Sequence, residues 1–258
     1  MTDDTIGWAP LAATVRNALA QKVRQQARPP AAGLDGWQPR YDEIVVAVAG
    51  MAGSVGSTTV GLALASVAAL TGPARIIECA PSSRSGLTAA AAAELGTGRG
   101  GWARGQREGV TLIRRSSASS FDAAPPPPEE DGTLTVLDIG SLLTDRPGEP
   151  SIAADIASRW VLVARACVPC LRQLELVLDL ALAHNPTLAV VGAAPRRWPT
   201  LLGSAVQPRT RTLLESGRVA TFRHDKRLAL TGLTPDPLPR HIAASARTLL
   251  TILEGLPQ

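Results

Sequence analysis

Ile44-Val-Val-Ala-Val-Ala49, followed by Gly50-Met51-Ala52-Gly53-Ser54-Val55-Gly56-Ser57-Thr58-Thr59, decides how this chain folds. A short apolar run ends in a glycine-rich turn, and residues 60–70 continue it as an apolar, alanine-rich segment with the length of a helix. Strand, glycine loop and helix in that order make a phosphate-binding arrangement. Glycines let successive backbone N–H groups turn inward, and the helix N-terminus adds partial positive charge. The usual pattern is G-x-x-x-x-G-K-[ST], in which the lysine reaches the outer phosphates. Here Ser57 stands at the lysine position and Met51 at that of the first glycine. The loop keeps the form of a phosphate cradle and lacks its main charge.

The only lysines are Lys22 and Lys226, so no lysine near the loop substitutes. Arginine is abundant and is not used at position 57 either. The 258 residues carry a formal charge of +4 and are 45% hydrophobic but only 3% aromatic. The core must therefore rest on Ala, Val, Leu and Ile. A mildly basic chain is compatible with an acidic partner without requiring one. The start, Met-Thr-Asp-Asp, lacks the basic segment of a secretory signal. The run 60–70 is far shorter than the roughly 20 residues that span a bilayer. Both features point to a cytoplasmic protein, with peripheral attachment to membrane or nucleoid left open. Cys79, Cys167 and Cys170 do not make a disulfide framework.

Upstream of the strand, Ile6, Leu11, Val15, Leu19 and Val23 recur at near-helical spacing, with Arg16, Lys22, Arg24 and Arg28 on the polar side. Pro29-Pro30 ends this amphipathic helix. It either docks on its own domain or serves a partner or an anionic membrane surface. The expected division is an N-terminal helix and linker over residues 1–40, then one domain over residues 41–258. Downstream, strands are expected at 75–79, 110–113, 133–138, 159–164, 188–192 and 218–222. Helices are expected at 87–95, 171–183, 199–216 (broken near Pro208) and 239–253. Residues 96–109 read as a glycine- and arginine-rich loop, and 116–132 as a flexible, proline-containing one. Repeated strand–helix units with apolar strands predict an α/β fold: a mostly parallel central sheet with helices on both faces.

From residue 44 to about 253 this order resembles the ParA/MinD group of P-loop ATPases. Their deviant loop, K-G-G-x-G-K-T-T, matches Ala52-Gly53-Ser54-Val55-Gly56-Ser57-Thr58-Thr59. The resemblance implies that Gly53, Ser54, Val55, Gly56, Ser57, Thr58 and Thr59 form the nucleotide loop, with ATP and Mg²⁺ as ligands. Thr58 falls on the magnesium position, and Leu137-Asp138-Ile139-Gly140 resembles the strand whose aspartate supports that ion. The family's D-x-D-P-Q resembles Glu78-Cys79-Ala80-Pro81-Ser82, with Ala80 at the catalytic aspartate position. Gly192 sits near the asparagine that meets adenine, and Phe222-Arg223-His224-Asp225 resembles the terminal I-P-x-D. Both lysine positions, Ala52 and Ser57, are neutral. The expectation is a positioning or scaffolding component with at most weak ATPase activity, in partition, conjugative transfer, division-site placement or siting of a secretion or pilus machine. Two alternatives stand beside it: a weak ATPase with nucleotide-controlled dimerisation, and a non-specific DNA-binding partition protein. A homodimer or a protein partner is implied, and DNA is a candidate partner for the arginine-rich C-terminal half. Arg84 and Arg99 are the candidates for replacing the lost charge.

Cys167-Val-Pro-Cys170 follows a strand and opens a helix, where redox motifs sit. Without a second such pair it does not make a four-cysteine zinc site. Two small buried residues at a strand end are the plainer reading. His184, His224 and His241 show no metal-ligand spacing, and Ser82, Ser83 and Ser85 have no evident His/Asp partners.

Overall fold

A computed structural model describes residues 39–80, 86–115, 125–142, 156–179 and 185–256. The helix expected over residues 6–28 lies outside them. Nine strands form one sheet in the order β3-β4-β5-β2-β6-β1-β7-β8-β9. They span Ile44–Gly50 (β1), Ala74–Glu78 (β2), Ala93–Thr97 (β3), Trp102–Arg107 (β4), Val110–Arg115 (β5), Leu134–Ser141 (β6), Arg159–Arg165 (β7), Thr187–Val191 (β8) and Val219–Phe222 (β9). From β5 to β9 every neighbouring pair is parallel. β3 and β4 add an antiparallel edge. β2 is buried along its whole length, and β1, β6 and β7 along nearly all of theirs. This is the apolar run of strands covered on both faces.

Ser57–Ala68 forms α1 and Val168–Asp179 forms α2. Thr200–Ser204 and Pro208–Glu215 are α3 and α4, Lys226–Thr231 is α5, and Arg240–Glu254 is α6. The chain leaves β1 toward β2 on one side and leaves β7 toward β8 on the other. Right-handed crossovers therefore place α1 and α2 on opposite faces. α1 packs on β1, β2, β6 and α6, whereas α2 packs on β7 and α4. Gly61 permits the close approach of α1. A Cβ there would lie 3.2 Å from Val136 Cγ1 and 3.3 Å from Ile76 Cδ1.

Two expectations fail along one edge. Residues 87–95 are not a helix: Leu87–Ala90 makes a single 3-10 turn, and Ala93–Thr97 is strand β3. Residues 96–109 are not a plain loop, since they contain β4. Helix propensity of the alanine run is a weak preference, and pairing with β4 overrides it. β4 turns into β5 through Glu108 and Gly109, both with positive φ (45° and 81°), as a tight hairpin requires.

The sheet's amino-terminal side is held by a buried polar group. Arg75 Nη2 donates to Glu43 Oε1 at 3.0 Å and Nε donates to Thr135 Oγ1 at 2.8 Å. The Thr135 hydroxyl also donates to Glu43. The side chains of Arg75 and Glu43 are 4% and 1% exposed. Arg75 Nη1 reaches out to the Pro126 carbonyl at 2.5 Å, and Arg104 pairs with Glu129 at 2.6 Å. The end of the proline-containing loop is thus tied to the sheet instead of lying free.

Removing one member of a buried pair strands the other charge, which costs about 3–5 kcal/mol. Arg75→Ala is expected to lower unfolding stability by that amount in urea titrations. A loss below about 1 kcal/mol would show that Glu43 is not dependent on the pair.

Candidate functional site

β1 and β7 lie side by side, and the connections from their carboxyl ends run in opposite directions. Such a divergence opens a crevice at the strand ends. The loop after β1 closes over it. Met51 N donates to the Val163 carbonyl at 2.9 Å, which fixes the loop's first residue to β7. Met51 and Val55 are buried and anchor the turn from below. Ser54 (φ 58°) and Gly56 (φ 98°) are both left-handed. Such residues curl the backbone into the concave form that gathers N–H groups. Gly56 precedes α1, and Val60 N donates to its carbonyl at 2.9 Å in the first helical bond. Ser54 holds the same region of φ without glycine's freedom, so the loop carries some strain there. Gly53 is exposed and open to solvent, while Ser57, Thr58 and Thr59 form the first turn of α1.

Beneath the loop, Thr58 Oγ1 donates to Asp138 Oδ2 at 2.7 Å, and Gly140 N donates to Oδ1 at 3.3 Å. Asp138 is fully buried. Burial pushes its carboxyl up from 3.8 to about 6, against the opposing pull of the Thr58 and Gly140 hydrogen bonds. The threonine proton points at the carboxylate, so its oxygen lone pairs face away from it. A hydroxyl beside a desolvated carboxylate suits a hard divalent cation. The Thr58–Asp138 pair therefore fits Mg²⁺, whose charge would offset that of the phosphates.

The phosphate side fits less completely. Ser57 and Ala52 bring no charge, and both are half-buried. Arg84 lies outside the described residues. Arg99 begins the turn before β4, with β5, β2 and β6 between it and β1. The cation at the loop is instead Arg165, the last residue of β7, whose Nη2 donates to the Ser54 carbonyl at 2.8 Å. In the sequence Arg165 is one of the many arginines of the basic second half. Its place at the end of the strand after Asp138 was the available signal. Ala80 is 4% exposed and packs on Gly140, where an added Cβ would come within 2.8 Å of the Ala80 methyl. The position that the resemblance aligns with a catalytic aspartate thus holds a buried methyl group.

Alongside the loop runs a cleft of about 360 Å³, bounded by Val55, Gly56 and Thr59 on one wall and by Arg223, His224 and Leu228 on the other. A second compartment of about 390 Å³ shares Arg165, Val191 and His224 with it and is lined by Gly192, Trp198 and Leu202. Gly192 therefore lines the second compartment and not the cleft along the loop. Asp225 also lines that cleft. Its Oδ1 accepts from Leu228 N at 2.8 Å and caps α5. The arginines of the second half do not form one face. Arg196, Arg197 and Arg223 are exposed beyond the carboxyl ends of β8 and β9, whereas Arg218 precedes β9 at the opposite end. Arg159 is buried, and Arg209 pairs with Asp179 at 2.6 Å.

The raised Asp138 value sets a pH dependence. The neutral carboxyl contributes stability that is fully present below 3.8 and is lost as pH rises to about 6. That gap corresponds to roughly 3 kcal/mol at neutral pH. Asp138→Asn is expected to be more stable than the parent chain at pH 7, less whatever the lost carboxylate hydrogen bonds take back. The advantage should shrink between pH 6 and 4 in chemical denaturation. A difference constant across that range would contradict the assignment.

No protein-family model matches the sequence, and no curated protein is significantly similar to it. Solved structures do match the fold. MinD of Aquifex aeolicus aligns over 83% of this chain and 99% of its own at a TM-score of 0.52 and 15% identity. MinD of Pyrococcus horikoshii, a septum site-determining protein complexed with Mg-ADP, aligns over 83% and 96% at a TM-score of 0.54 and 14% identity. A substituted McdA of Cyanothece in complex with ATP aligns over 84% and 99% at a TM-score of 0.54 and 13% identity. The nine-stranded, mostly parallel sheet has the architecture of the ParA/MinD-type P-loop ATPases.

Proposed function

We propose that this protein is a ParA/MinD-like positioning or scaffolding component whose nucleotide loop has been reduced to weak binding. The observation that carries this reading is a loop with intact backbone form and an intact Thr58–Asp138 pair, but with Ser57 and Ala52 at the two lysine positions. A charge-assisted hydrogen bond contributes about 1.5–3 kcal/mol. Losing two of them to a triphosphate costs several powers of ten in affinity, at about 1.4 kcal/mol per tenfold. Hydrolysis suffers further, because phosphoryl transfer depends on stabilising the charge that spreads over the oxygens in the transition state. In this reading Gly53 to Thr59 would hold the phosphates, Thr58 and Asp138 the Mg²⁺, and the compartment lined by Gly192 the base. Among the described residues, Arg165 supplies the guanidinium that bonds to the loop.

The settings that suit such a component are partition, conjugative transfer, division-site placement and the siting of a secretion or pilus machine. Residues 1–40 would serve as the docking or targeting segment of the domain over residues 41–258. Among the described residues no helix is long and apolar enough to cross a membrane. Attachment, if any, would then fall to that segment and its contact with a surface.

In the resembled family the signature lysine reaches across an ATP-sandwiched dimer. With Ala52 in its place, any homodimer here forms without nucleotide. Light scattering of the full chain should give the same mass with and without ATP–Mg²⁺. A dimer seen only with ATP would favour the nucleotide-switched alternative. Adding random duplex at low salt tests the arginine edge in the same instrument. A complex lost on charge reversal of Arg196 and Arg197 would support DNA as partner, and no complex at all would remove it.

A further inference from the structure

The sequence pair Cys167 and Cys170 has no part in the proposed nucleotide chemistry, yet the fold places it at a reactive position. Cys167 is the residue just before α2 and is half-buried. It lines the 390 Å³ compartment together with Arg165, Val191 and Trp198. Cys170 is three residues on, in the first turn, and only 5% exposed. Residues at that spacing share one side of a helix, and the Cys167 side chain lies against Cys170. All three cysteines are free. Among the described residues no group of three or more His, Cys, Asp and Glu side chains is arranged to hold a metal.

We propose that Cys167 and Cys170 form a redox-active dithiol that exchanges with low-molecular-weight disulfides of the glutathione type. Cys167 attacks, because its sulfur borders an open cleft. Its thiolate bonds to one sulfur of the small disulfide, whose S–S bond breaks and releases one small thiolate, which takes a proton. Cys170 then gives up its proton and attacks the Cys167 sulfur, releasing the second small thiol. Two electrons pass from the dithiol to the small disulfide, and one intrachain S–S bond remains.

The first turn of a helix is suited to this closure. Its N–H groups have no partner four residues back, so closure disturbs at most the first helical bond, Leu171 N to the Cys167 carbonyl at 3.1 Å. Pro169, between the cysteines, has no N–H to lose. Burial holds the Cys170 thiol up, and the adjoining Cys167 adds to this. Cys170 thus stays protonated and sheltered until Cys167 carries a leaving group. Cys79 provides an internal contrast: burial pushes its thiol up to about 12, with Asp138 adding to the effect.

The test uses the reduced full-length chain in oxidised and reduced glutathione, quenched in acid and alkylated in denaturant, with peptide mapping by mass spectrometry. The wild type should lose two alkylation sites together, at Cys167 and Cys170, while Cys79 remains fully alkylatable. Cys170→Ser should stop at a glutathione adduct on Cys167, and Cys167→Ser should leave Cys170 unmodified. Each serine variant is checked for folding by its circular dichroism. The proposal is overturned if both cysteines of the native wild type stay reduced at ratios that oxidise a small dithiol. It is equally overturned if Cys79 reacts first, or if the disulfide found joins two chains.

Discussion

The 2.7 Å hydrogen bond from Thr58 to Asp138 joins the three parts on which the molecule depends. Thr58 belongs to the first turn of α1, so the bond fixes where the helix starts. Asp138 sits on β6, the direct neighbour of β1, so the bond also fixes the helix against the sheet. The loop between β1 and α1 must then span the gap with its backbone curled, and left-handed Ser54 and Gly56 supply the curl. A buried carboxylate with only a hydroxyl and an amide as partners is costly to ionise. In the proposed reading a divalent cation would offset that cost.

In the proposed reading, charge and not shape separates this site from a vigorous phosphate-transfer centre. The backbone form persists because it is determined by strand pairing and by the packing of Met51 and Val55. Ala52 and Ser57 are half-buried, and the fold forms with no charge at either position. Arg165 is the cation that meets the loop among the described residues. It bonds a loop carbonyl from the adjoining strand and holds the loop's shape without nucleotide. Arg165 also lines the cleft, as does Arg223.

Much of this was legible in the residues. The apolar run at Ile44, the glycine loop and the Leu137-Asp138 strand specify a central parallel sheet with a crevice at the end of β1. The edge was not legible, because the alanines before Leu95 favour a helix locally and only β4 makes them a strand. Glu108-Gly109 was the missed hairpin signal. The role of Arg165 was hidden for a related reason: it depends on β7 lying next to β1, which strand order alone reveals. Arg75 was likewise read as ordinary strand sequence, although it is the centre of a buried polar group.

The central claim is that two missing lysines, and not a damaged scaffold, weaken the site. The most direct measurement is calorimetric titration of ATP–Mg²⁺ into the wild type, Ser57→Lys, and the double variant Ala52→Lys, Ser57→Lys. Weak or undetectable binding is expected in the wild type, with a gain of about tenfold or more from Ser57→Lys. Sub-micromolar binding by the wild type, or no gain from either variant while Thr58 and Asp138 remain in place, would contradict it.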